Sequence, residues 1–229
     1  MRALPGRDSR TGLVEPKLDV TRDTVGEAQR SRIRRATGEL VAKRGYPGVS
    51  VELIVKRARV SFKTFYKHYG NKEEAFIDLF DHTLAATEAQ IHEASGDPEV
   101  PWSERVALAL RAFFLSVLED PLISRACLVE APTAGPRILT RYEQLARVFV
   151  SLLREGREHN PAAEALPETL EDTLAGSVLW SAYQRLILGD TERIAEFLPE
   201  AIELVLRPYV GDRAARRVAD GAAPLELKA

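Results

Sequence analysis

The chain has 229 residues, of which 45% are hydrophobic and 29% are charged, and its formal net charge is −2. These values are typical of a globular protein, and a single cysteine, Cys127, excludes an internal disulfide framework. The first 20 residues lack the apolar core of a signal peptide, and the longest uncharged run in the C-terminal half, 12 residues, is too short to span a bilayer. We therefore predict a soluble, cytoplasmic protein that does not enter membranes.

Apolar residues recur three and four positions apart, and the alternating pattern of strands is absent. This spacing predicts helices throughout the chain. Thr24 and Glu27 form the capping box of a predicted first helix, which Gly45 ends. Ser50 then caps a short second helix, and Ser61 caps a third helix after a turn of a few residues.

A fourth helix is predicted to start at the capping box of Asn71 and Glu74 and to reach about residue 95. Prolines separate the helices that follow, which we place near residues 102–119, 121–129, 136–158, 168–188 and 191–207. The predicted fold class is all-α. Both ends of the chain, residues 1–23 and 220–229, are predicted to be disordered tails.

The charge is divided unevenly along the chain. Residues 24–70 carry 11 Lys and Arg residues against three acidic residues, a net charge of +8. The rest of the chain from residue 71 carries −11, and the first 23 residues carry +1. This division indicates that only residues 24–70 face a polyanion, although a merely solvated basic face is the alternative.

The predicted third helix has two different faces. Helical geometry places one set of side chains together, namely Ser61, Phe65, His68 and Tyr69. The opposite face combines lysines with aromatic rings, namely Phe62, Lys63, Tyr66 and Lys67. DNA binds such a mixed face, since lysines contact phosphates or guanine edges and an apolar ring contacts thymine methyl groups. Packing of Phe62 and Tyr66 against neighbouring helices is the alternative.

Two short helices joined by a tight turn in a basic region form a helix-turn-helix, whose second helix enters the major groove. Residues 30–76 resemble the N-terminal domain of the TetR (tetracycline-repressor-like) transcriptional regulators. The matching residues are Ile33, Ala36, Leu40, Gly45, Tyr46, Gly48, Ser50, Ile54, Ala58, Val60, Ser61, Thr64, Phe65, Tyr66, His68, Tyr69, Lys72 and Glu73. Arg59 and Lys63 depart from the pattern, because the family often has glycine at both positions. If the turn needs a positive φ angle, Arg59 is strained.

The resemblance implies a role for each matching position. The residues expected to hold phosphates are Ser50, Thr64, Tyr66 and Lys72, and those expected to approach base edges are Phe62, Lys63 and Lys67. Arg59 offers a further phosphate contact, and Ser61 completes the predicted DNA-binding set. We expect His68 to be structural, packed between the helices of the small domain.

The chain after residue 71 resembles the family only in its layout, a helical domain for ligand binding and dimerisation. Two apolar helices, 168–188 and 191–207, are expected to form a four-helix interface in a homodimer. The candidate pocket residues are Phe80, Phe113, Arg125, Tyr142, Phe149, Trp180 and Tyr183, with ordinary core packing as the alternative. Because few charges fall on the apolar faces, we expect a small hydrophobic or amphipathic ligand.

Catalysis has weak support in the sequence. The histidines are scattered, and the single pair that could share a metal, Asp78 and His82, arises easily by chance. Cys127 has no histidine near it in sequence, and no glycine-rich phosphate loop is present. We therefore predict no catalytic residue, no metal and no cofactor.

The predicted organisation is a helix-turn-helix DNA-binding domain at 24–70 and a helical ligand-binding and dimerisation domain at 71–219. We predict a repressor that a small molecule releases from a palindromic operator in double-stranded DNA. Two alternatives stay open at this point. One is a DNA-binding protein whose larger domain only dimerises or binds another protein, and the other is an all-α enzyme.

Overall fold

A computed structural model gives the fold and describes residues 17–160 and 165–225. Within these residues the chain forms ten α-helices and no strand, so the all-α prediction is confirmed. The helices are α1 Lys17–Arg44, α2 Val51–Ala58, α3 Phe62–His68, α4 Lys72–Ser95, α5 Trp102–Glu119, α6 Pro121–Arg125, α7 Pro136–Glu155, α8 Leu170–Leu188, α9 Glu192–Val210 and α10 Asp212–Gly221. A π-helical turn, Ala126–Glu130, and a 3₁₀ turn, Ala131–Thr133, follow α6, and a second 3₁₀ turn, Gly156–His159, follows α7.

The first helix is longer than predicted. It begins at Lys17 rather than at Thr24, so Thr24 lies inside the helix and the predicted capping box is wrong. Residues 17–25 contain neither glycine nor proline, and so nothing there interrupts a helix that starts upstream. The disordered tail predicted for 1–23 is therefore wrong from residue 17 onward, and residues 1–16 lie outside the described part of the chain.

The first three helices form a small unit, which we call the reading head. Its core consists of fully buried side chains from each helix, Ile33 of α1, Ile54 of α2 and Phe65 of α3. Gly45 ends α1 with a φ angle of +71°, a conformation that glycine adopts without steric cost. This stop was predicted correctly.

The predicted caps of the next three helices are confirmed. The Ser50 hydroxyl accepts a hydrogen bond from the Leu53 amide at 3.3 Å, and the Ser61 hydroxyl accepts one from the Thr64 amide at 3.0 Å. Asn71 accepts from the Glu74 amide at 2.9 Å at the start of α4. Since each cap satisfies an otherwise unpaired amide, the turns around α2 and α3 are fixed by local bonds.

Helices α4–α10 form the larger domain. Its core is built around fully buried side chains of α5, including Leu110, Phe113 and Phe114. The sequence analysis missed α10, where Ala215 and Ala219 are buried against the neighbouring helices. The disordered tail predicted for 220–229 is wrong for residues 220–225, because α10 continues to residue 221 and Leu225 is 7% exposed. Residues 226–229 lie outside the described part of the chain.

The reading head is joined to the larger domain along one side of α1. Gly38 allows close approach there, because a Cβ atom on it would lie 2.3 Å from Cδ1 of Ile123. A guanidinium nitrogen of Arg35 donates to Asp120 at 2.7 Å across the same contact. The short helix α6 therefore fixes the position of α1 by a close backbone approach and an ion pair.

Among residues 17–160 and 165–225, every helix falls short of the combined length and hydropathy that crossing a bilayer requires.

Candidate DNA interface and ligand cavity

Helix α3 has the two faces that its spacing predicts. Phe65 is completely buried and Tyr69 is 6% exposed, whereas Phe62 is 50% exposed and Tyr66 is 56% exposed. Lys63 and Lys67 are exposed as well, on the same side as Phe62 and Tyr66. The aromatic rings on this face are thus available to a partner. We call Phe62, Lys63, Tyr66 and Lys67 the outer face of α3.

Three hydroxyl groups stand at the starts of α2 and α3. The Ser61 and Thr64 hydroxyl oxygens lie 2.9 Å apart, next to the first amides of α3. Ser50 and Ser61 are exposed and Thr64 is half-buried. Because amides at a helix start attract anions, these hydroxyls are placed where a phosphate would be held.

Lys72 has a role that the sequence analysis missed. Its ammonium group donates to the carbonyl oxygens of Tyr46 at 3.0 Å and Val49 at 2.8 Å, and lies 4.5 Å from the centre of the Tyr46 ring. The side chain therefore ties the α1–α2 turn to the start of α4. One of its three N–H donors remains for a phosphate.

Arg59 adopts the strained conformation that the sequence predicted. Its backbone angles are φ 53° and ψ 48°, and no other non-glycine residue in the described part of the chain has a positive φ. This left-handed conformation costs about 1–2 kcal/mol for a residue with a Cβ atom. The side chain is exposed.

His68 lies on the inner side of α3, as expected. Its Nε2 atom is 3.1 Å from the side-chain oxygen of Gln29 on α1, and the ring is half-buried. Burial lowers the pKa of His68, and the nearby positive charges of Arg30 and Lys67 lower it further. A neutral ring that bridges α1 and α3 fits the predicted structural role.

The Asp78 carboxylate, considered above with His82 as a metal ligand, serves the contact between head and α4. It accepts a hydrogen bond from the Tyr69 hydroxyl at 2.5 Å and lies 3.5 Å from the Arg34 guanidinium. Burial and this carboxylate together raise the pKa of Tyr69 above its usual range. Within the described residues, His, Cys, Asp and Glu side chains form no group of three that could hold a metal.

The larger domain encloses a small cavity of about 30 Å³ between α4, α5, α7 and the residues around α6. Its lining residues are Phe80, Thr83, Leu84, Thr87, Phe113, Ser116, Val117, Ser124, Cys127, Leu128 and Leu145. All of these side chains are uncharged, and burial raises the pKa of the Cys127 thiol to about 12, so it too is neutral. A cavity of this size holds about two water molecules, and a larger ligand would have to displace its walls.

Two of the seven predicted pocket residues line this cavity, Phe80 and Phe113. Phe149 lies behind them, with its ring edge-on to Phe113 at 5.4 Å between centroids. The sequence analysis missed the hydroxyl groups of Thr83, Thr87, Ser116 and Ser124. No sequence signal distinguishes these residues from ordinary small polar residues in helices.

Three predicted pocket residues lie outside the lining of the cavity. Trp180 is 57% exposed, and its ring stacks on Tyr183 with 5.0 Å between centroids and 11° between planes. Burial raises the pKa of Tyr142, and the neighbouring Tyr183 adds to this shift. These three residues therefore do not share the cavity with Phe80 and Phe113, because helical spacing does not specify which neighbour an aromatic side chain faces.

Arg125 also lies outside the lining of the cavity. Its guanidinium donates to the carbonyl oxygen of Ala42 in α1 at 3.1 Å and to that of Leu186 in α8 at 2.9 Å. Instead of facing the cavity, Arg125 links the reading head to α8. The sequence could not predict these partners of Arg125, because the two carbonyl groups are 83 and 61 residues away along the chain.

Comparison with known proteins agrees with this architecture. Residues 33–79 match the family described as bacterial regulatory proteins of the tetR family. The HTH-type transcriptional repressor DhaR of Mycobacterium sp. (strain GP1) is 24% identical over 178 residues, which cover 73% of this chain and 87% of DhaR.

Two solved structures of fatty acid regulators have the same fold. The fatty acid degradation regulator FadR from Bacillus halodurans superposes with a TM-score of 0.70 at 18% identity, covering 78% of this chain and 94% of FadR. The regulator FadR from Bacillus subtilis, in complex with stearoyl-CoA, gives a TM-score of 0.65 at 18% identity, covering 76% of this chain and 96% of that one. At these identities the likeness shows the fold alone. Together with the match over residues 33–79, the helix-turn-helix geometry shows that this part of the chain is a DNA-binding domain of the tetR type.

Proposed function

We propose that this protein is a homodimeric repressor that a small, mainly apolar molecule releases from a palindromic DNA operator. The observation that carries the DNA part is the outer face of α3. Phe62 and Tyr66 remain half exposed on a seven-residue helix whose other side buries Phe65 completely. Aromatic rings that stay exposed to water contribute little to the stability of the fold. Together with the neighbouring lysines, however, they are complementary to the base edges and phosphates of a major groove.

The roles within this surface follow from chemistry and position. Ser50, Thr64, Tyr66 and the free donor of Lys72 would bind backbone phosphates and set the register of the protein on DNA. Phe62, Lys63 and Lys67 would contact base edges and so determine sequence preference. The net positive charge of residues 24–70 favours this part of the chain, rather than the acidic remainder, as the DNA-binding surface.

Dimerisation is supported by apolar side chains that one chain leaves uncovered. Trp180, Ile187 and Leu188 of α8 are 57%, 44% and 73% exposed, and Leu204 of α9 is 45% exposed. Large apolar side chains left exposed on two consecutive helices favour a protein–protein contact there. A two-fold contact between α8 and α9 of two chains would present two reading heads to half-sites about 34–36 Å apart.

The ligand is proposed to be uncharged where it enters the cavity. Each lining side chain is neutral, and burying a charge without a partner is costly. The hydroxyls of Thr83, Thr87 and Ser116 would orient one or two polar atoms of an otherwise apolar molecule. The stearoyl-CoA of the Bacillus subtilis FadR complex is an example of a long apolar ligand in a protein of the same fold.

The cavity and the reading head share one structural element. Ser124, Cys127 and Leu128 line the cavity, while Ile123 and Arg125, in the same segment, contact α1. A ligand that moves this segment would shift α1 and change the separation of the two heads. About 3 kcal/mol of differential affinity is enough for a roughly hundredfold change in DNA binding.

Selection of genomic DNA fragments by the purified protein tests the proposal. We expect enrichment of a palindromic sequence with half-sites one helical turn apart, and protection of both half-sites in footprinting. The Phe62→Ala and Lys63→Ala substitutions should change the enriched sequence at particular base pairs, whereas Arg213→Ala, an exposed position on α10, should leave it unchanged. Equal recovery of all fragments by the parent protein would contradict the proposal. Enrichment of the parent's sequence by the Phe62 and Lys63 variants would contradict it as well.

The alternative, a larger domain that only dimerises or binds a protein, predicts operator affinity that no small molecule changes. An enzyme would consume a molecule bound in the cavity, and the neutral lining offers no pair of titratable groups for such a reaction.

A further inference from the structure

A second basic surface lies on the flank of the reading head, apart from the outer face of α3. It is an open groove of about 420 Å³ between α1 and the α2–α3 turn. Its lining residues are Ser31, Arg32, Arg35, Ala36, Glu39, Arg57, Ala58 and Arg59. Four guanidinium groups therefore surround a single carboxylate. We call this surface the flank groove.

Two of the four arginines are already paired. Glu39 accepts a hydrogen bond from Arg35 at 3.0 Å and another from Arg57 at 2.7 Å. Arg32 and Arg59, in contrast, have no ion pair with any carboxylate among the described residues. The flank groove thus carries positive charge that the folded chain leaves unsatisfied.

Arg59 is also the one non-glycine residue with a positive φ angle in the described part of the chain. Glycine would adopt this conformation without steric cost, and the exposed Arg59 side chain makes no ion pair that would offset it. A strained residue whose side chain contributes nothing evident to folding points to a role in binding.

The flank groove opens beside the start of α3. Arg59 stands two residues before Ser61, whose hydroxyl caps α3 and lies 2.9 Å from the Thr64 hydroxyl. When the outer face of α3 enters a major groove, the bordering DNA backbone passes this end of the helix. Guanidinium groups bind phosphate oxygens in a bidentate manner and keep their charge at every physiological pH.

We infer that Arg59 and Arg32 hold a backbone phosphate in the flank groove, in addition to the contacts made by α2, α3 and α4. The inference rests on the proposed DNA-binding function and deepens it. It assigns the strained arginine to affinity rather than to sequence preference, because a phosphate contact is the same at every base pair.

Four single substitutions test this inference on the full chain. Arg59→Gly removes the charge and the strain, Arg59→Lys keeps both, and Arg32→Ala removes the second charge alone. Lys43→Ala is the matched control, an exposed cation of the same head. It stands next to Ala42, whose carbonyl binds Arg125 of the larger domain.

Operator and random-sequence DNA affinities would be measured from 0.05 to 0.4 M salt, together with melting temperatures. We expect Arg59→Gly to weaken binding to both DNAs by about fivefold to tenfold at 0.1 M salt and to reduce the salt slope by about one unit. Its melting temperature should rise by roughly 2–4 °C, since the strain is relieved. Arg32→Ala should weaken binding similarly without that rise, and Lys43→Ala should stay within about twofold of the parent. Arg59→Lys should lose less affinity than Arg59→Gly, because an ammonium group keeps the charge but cannot bind a phosphate in a bidentate manner.

Opposite changes in stability and affinity are decisive, because a purely structural residue would move both in the same direction. The inference is overturned if Arg59→Gly raises the melting temperature but leaves the salt slope unchanged, or if its loss is confined to one DNA sequence. The proposed function fails separately, if the parent protein itself shows no salt-dependent affinity for a palindromic site.

Discussion

The two domains of this protein place their proposed functional side chains in opposite ways. The reading head carries them outside, on the outer face of a short α3 that is capped by Ser61 and packed through Phe65. The larger domain carries them inside, around a cavity of about 30 Å³ with an entirely neutral lining. On the proposed function, DNA would bind a surface that is already formed, whereas a ligand would have to displace packed side chains. Rigid DNA recognition and deformable ligand sensing would then be divided between the two domains.

The largest effect is expected from loss of the proposed dimer interface, which would hold the two reading heads at a fixed separation. Leu188→Glu places a charge on a side chain that is 73% exposed in one chain, so the fold should survive. We expect a monomer of 25.4 kDa by light scattering at micromolar concentration. Operator affinity should fall more than hundredfold, because one head loses the second half-site.

Glu192→Gln, an exposed position at the start of α9, is the control for Leu188→Glu. A parent protein that is already monomeric at micromolar concentration would contradict the proposed interface.

The interior of the larger domain also contains a polar network whose removal should be costly. The carboxylate of Glu171, 1% exposed, accepts hydrogen bonds from Arg157 at 2.7 and 3.0 Å and from the Tyr209 hydroxyl at 2.9 Å. Glu171→Ala should cost about 3 kcal/mol, since it removes the buried carboxylate that accepts hydrogen bonds from both the Arg157 guanidinium and the Tyr209 hydroxyl. Denaturant unfolding measures this loss, with exposed Glu196→Ala as the control.

The same network should make the larger domain sensitive to acid. Burial alone would raise the pKa of Glu171, but the hydrogen bonds from Arg157 and Tyr209 outweigh it and hold the pKa below its usual value. A carboxyl group with a lowered folded-state pKa contributes stability above its unfolded pKa, about 4.3, and loses it as the pH falls below that value. A pH profile of unfolding in which Glu171→Ala and the parent fall in parallel below pH 4 would exclude this contribution.

The neutral lining of the cavity predicts which class of compound binds to the larger domain. In a screen of matched compounds, we expect uncharged apolar molecules with one or two polar groups to raise the melting temperature and weaken operator binding by up to about a hundredfold. Phosphorylated or multiply charged compounds should do neither, because the cavity lining has no charge to pair with them. If the charged set alone raises the melting temperature and releases DNA, the proposed ligand class is wrong.

Within the reading head, two lysines should behave differently. Lys63→Ala should change preference at particular base pairs, at about 1–3 kcal/mol for each lost base contact. Lys72→Ala should weaken binding to all sequences and lower the salt slope by about one unit. It should also reduce stability by about 1 kcal/mol, since the hydrogen bonds from Lys72 to the carbonyl groups of Tyr46 and Val49 are lost.

A randomised operator library and thermal unfolding together separate the two lysine roles. The same uniform loss for both variants would show that Lys63 does not contact bases.

The smallest expected effect concerns His68. Because burial lowers its pKa in the folded chain, the neutral ring contributes stability above the unfolded pKa, about 6.5, and this contribution is lost as the pH falls through the folded value. The parent should therefore melt at a lower temperature at pH 5 than at pH 7, and His68→Gln should show a smaller difference. Equal pH dependence of the two proteins would mean that His68 stays neutral or that its charge is compensated.

Much of the reading head follows from its sequence, for a reason that particular residues show. Ser50, Ser61 and Asn71 cap their helices through amides three residues away, and Phe62 and Phe65 are separated by helical geometry alone. These relations span a few residues, and so local chemistry determines them. The strained φ angle of Arg59 is likewise a local feature, because it follows from the conformation of the turn between α2 and α3.

Contacts between segments that are distant in sequence depend on the tertiary packing. Arg125 binds carbonyl groups 83 and 61 residues away, Lys72 binds the turn after α1, and four helices together define which side chains reach the cavity. By itself, the sequence determined the all-α class, the helix-turn-helix and the composition of the outer face of α3. The cavity lining, the α1–α6 contact and the flank groove depend on the packing of helices far apart in sequence, which helical periodicity cannot specify.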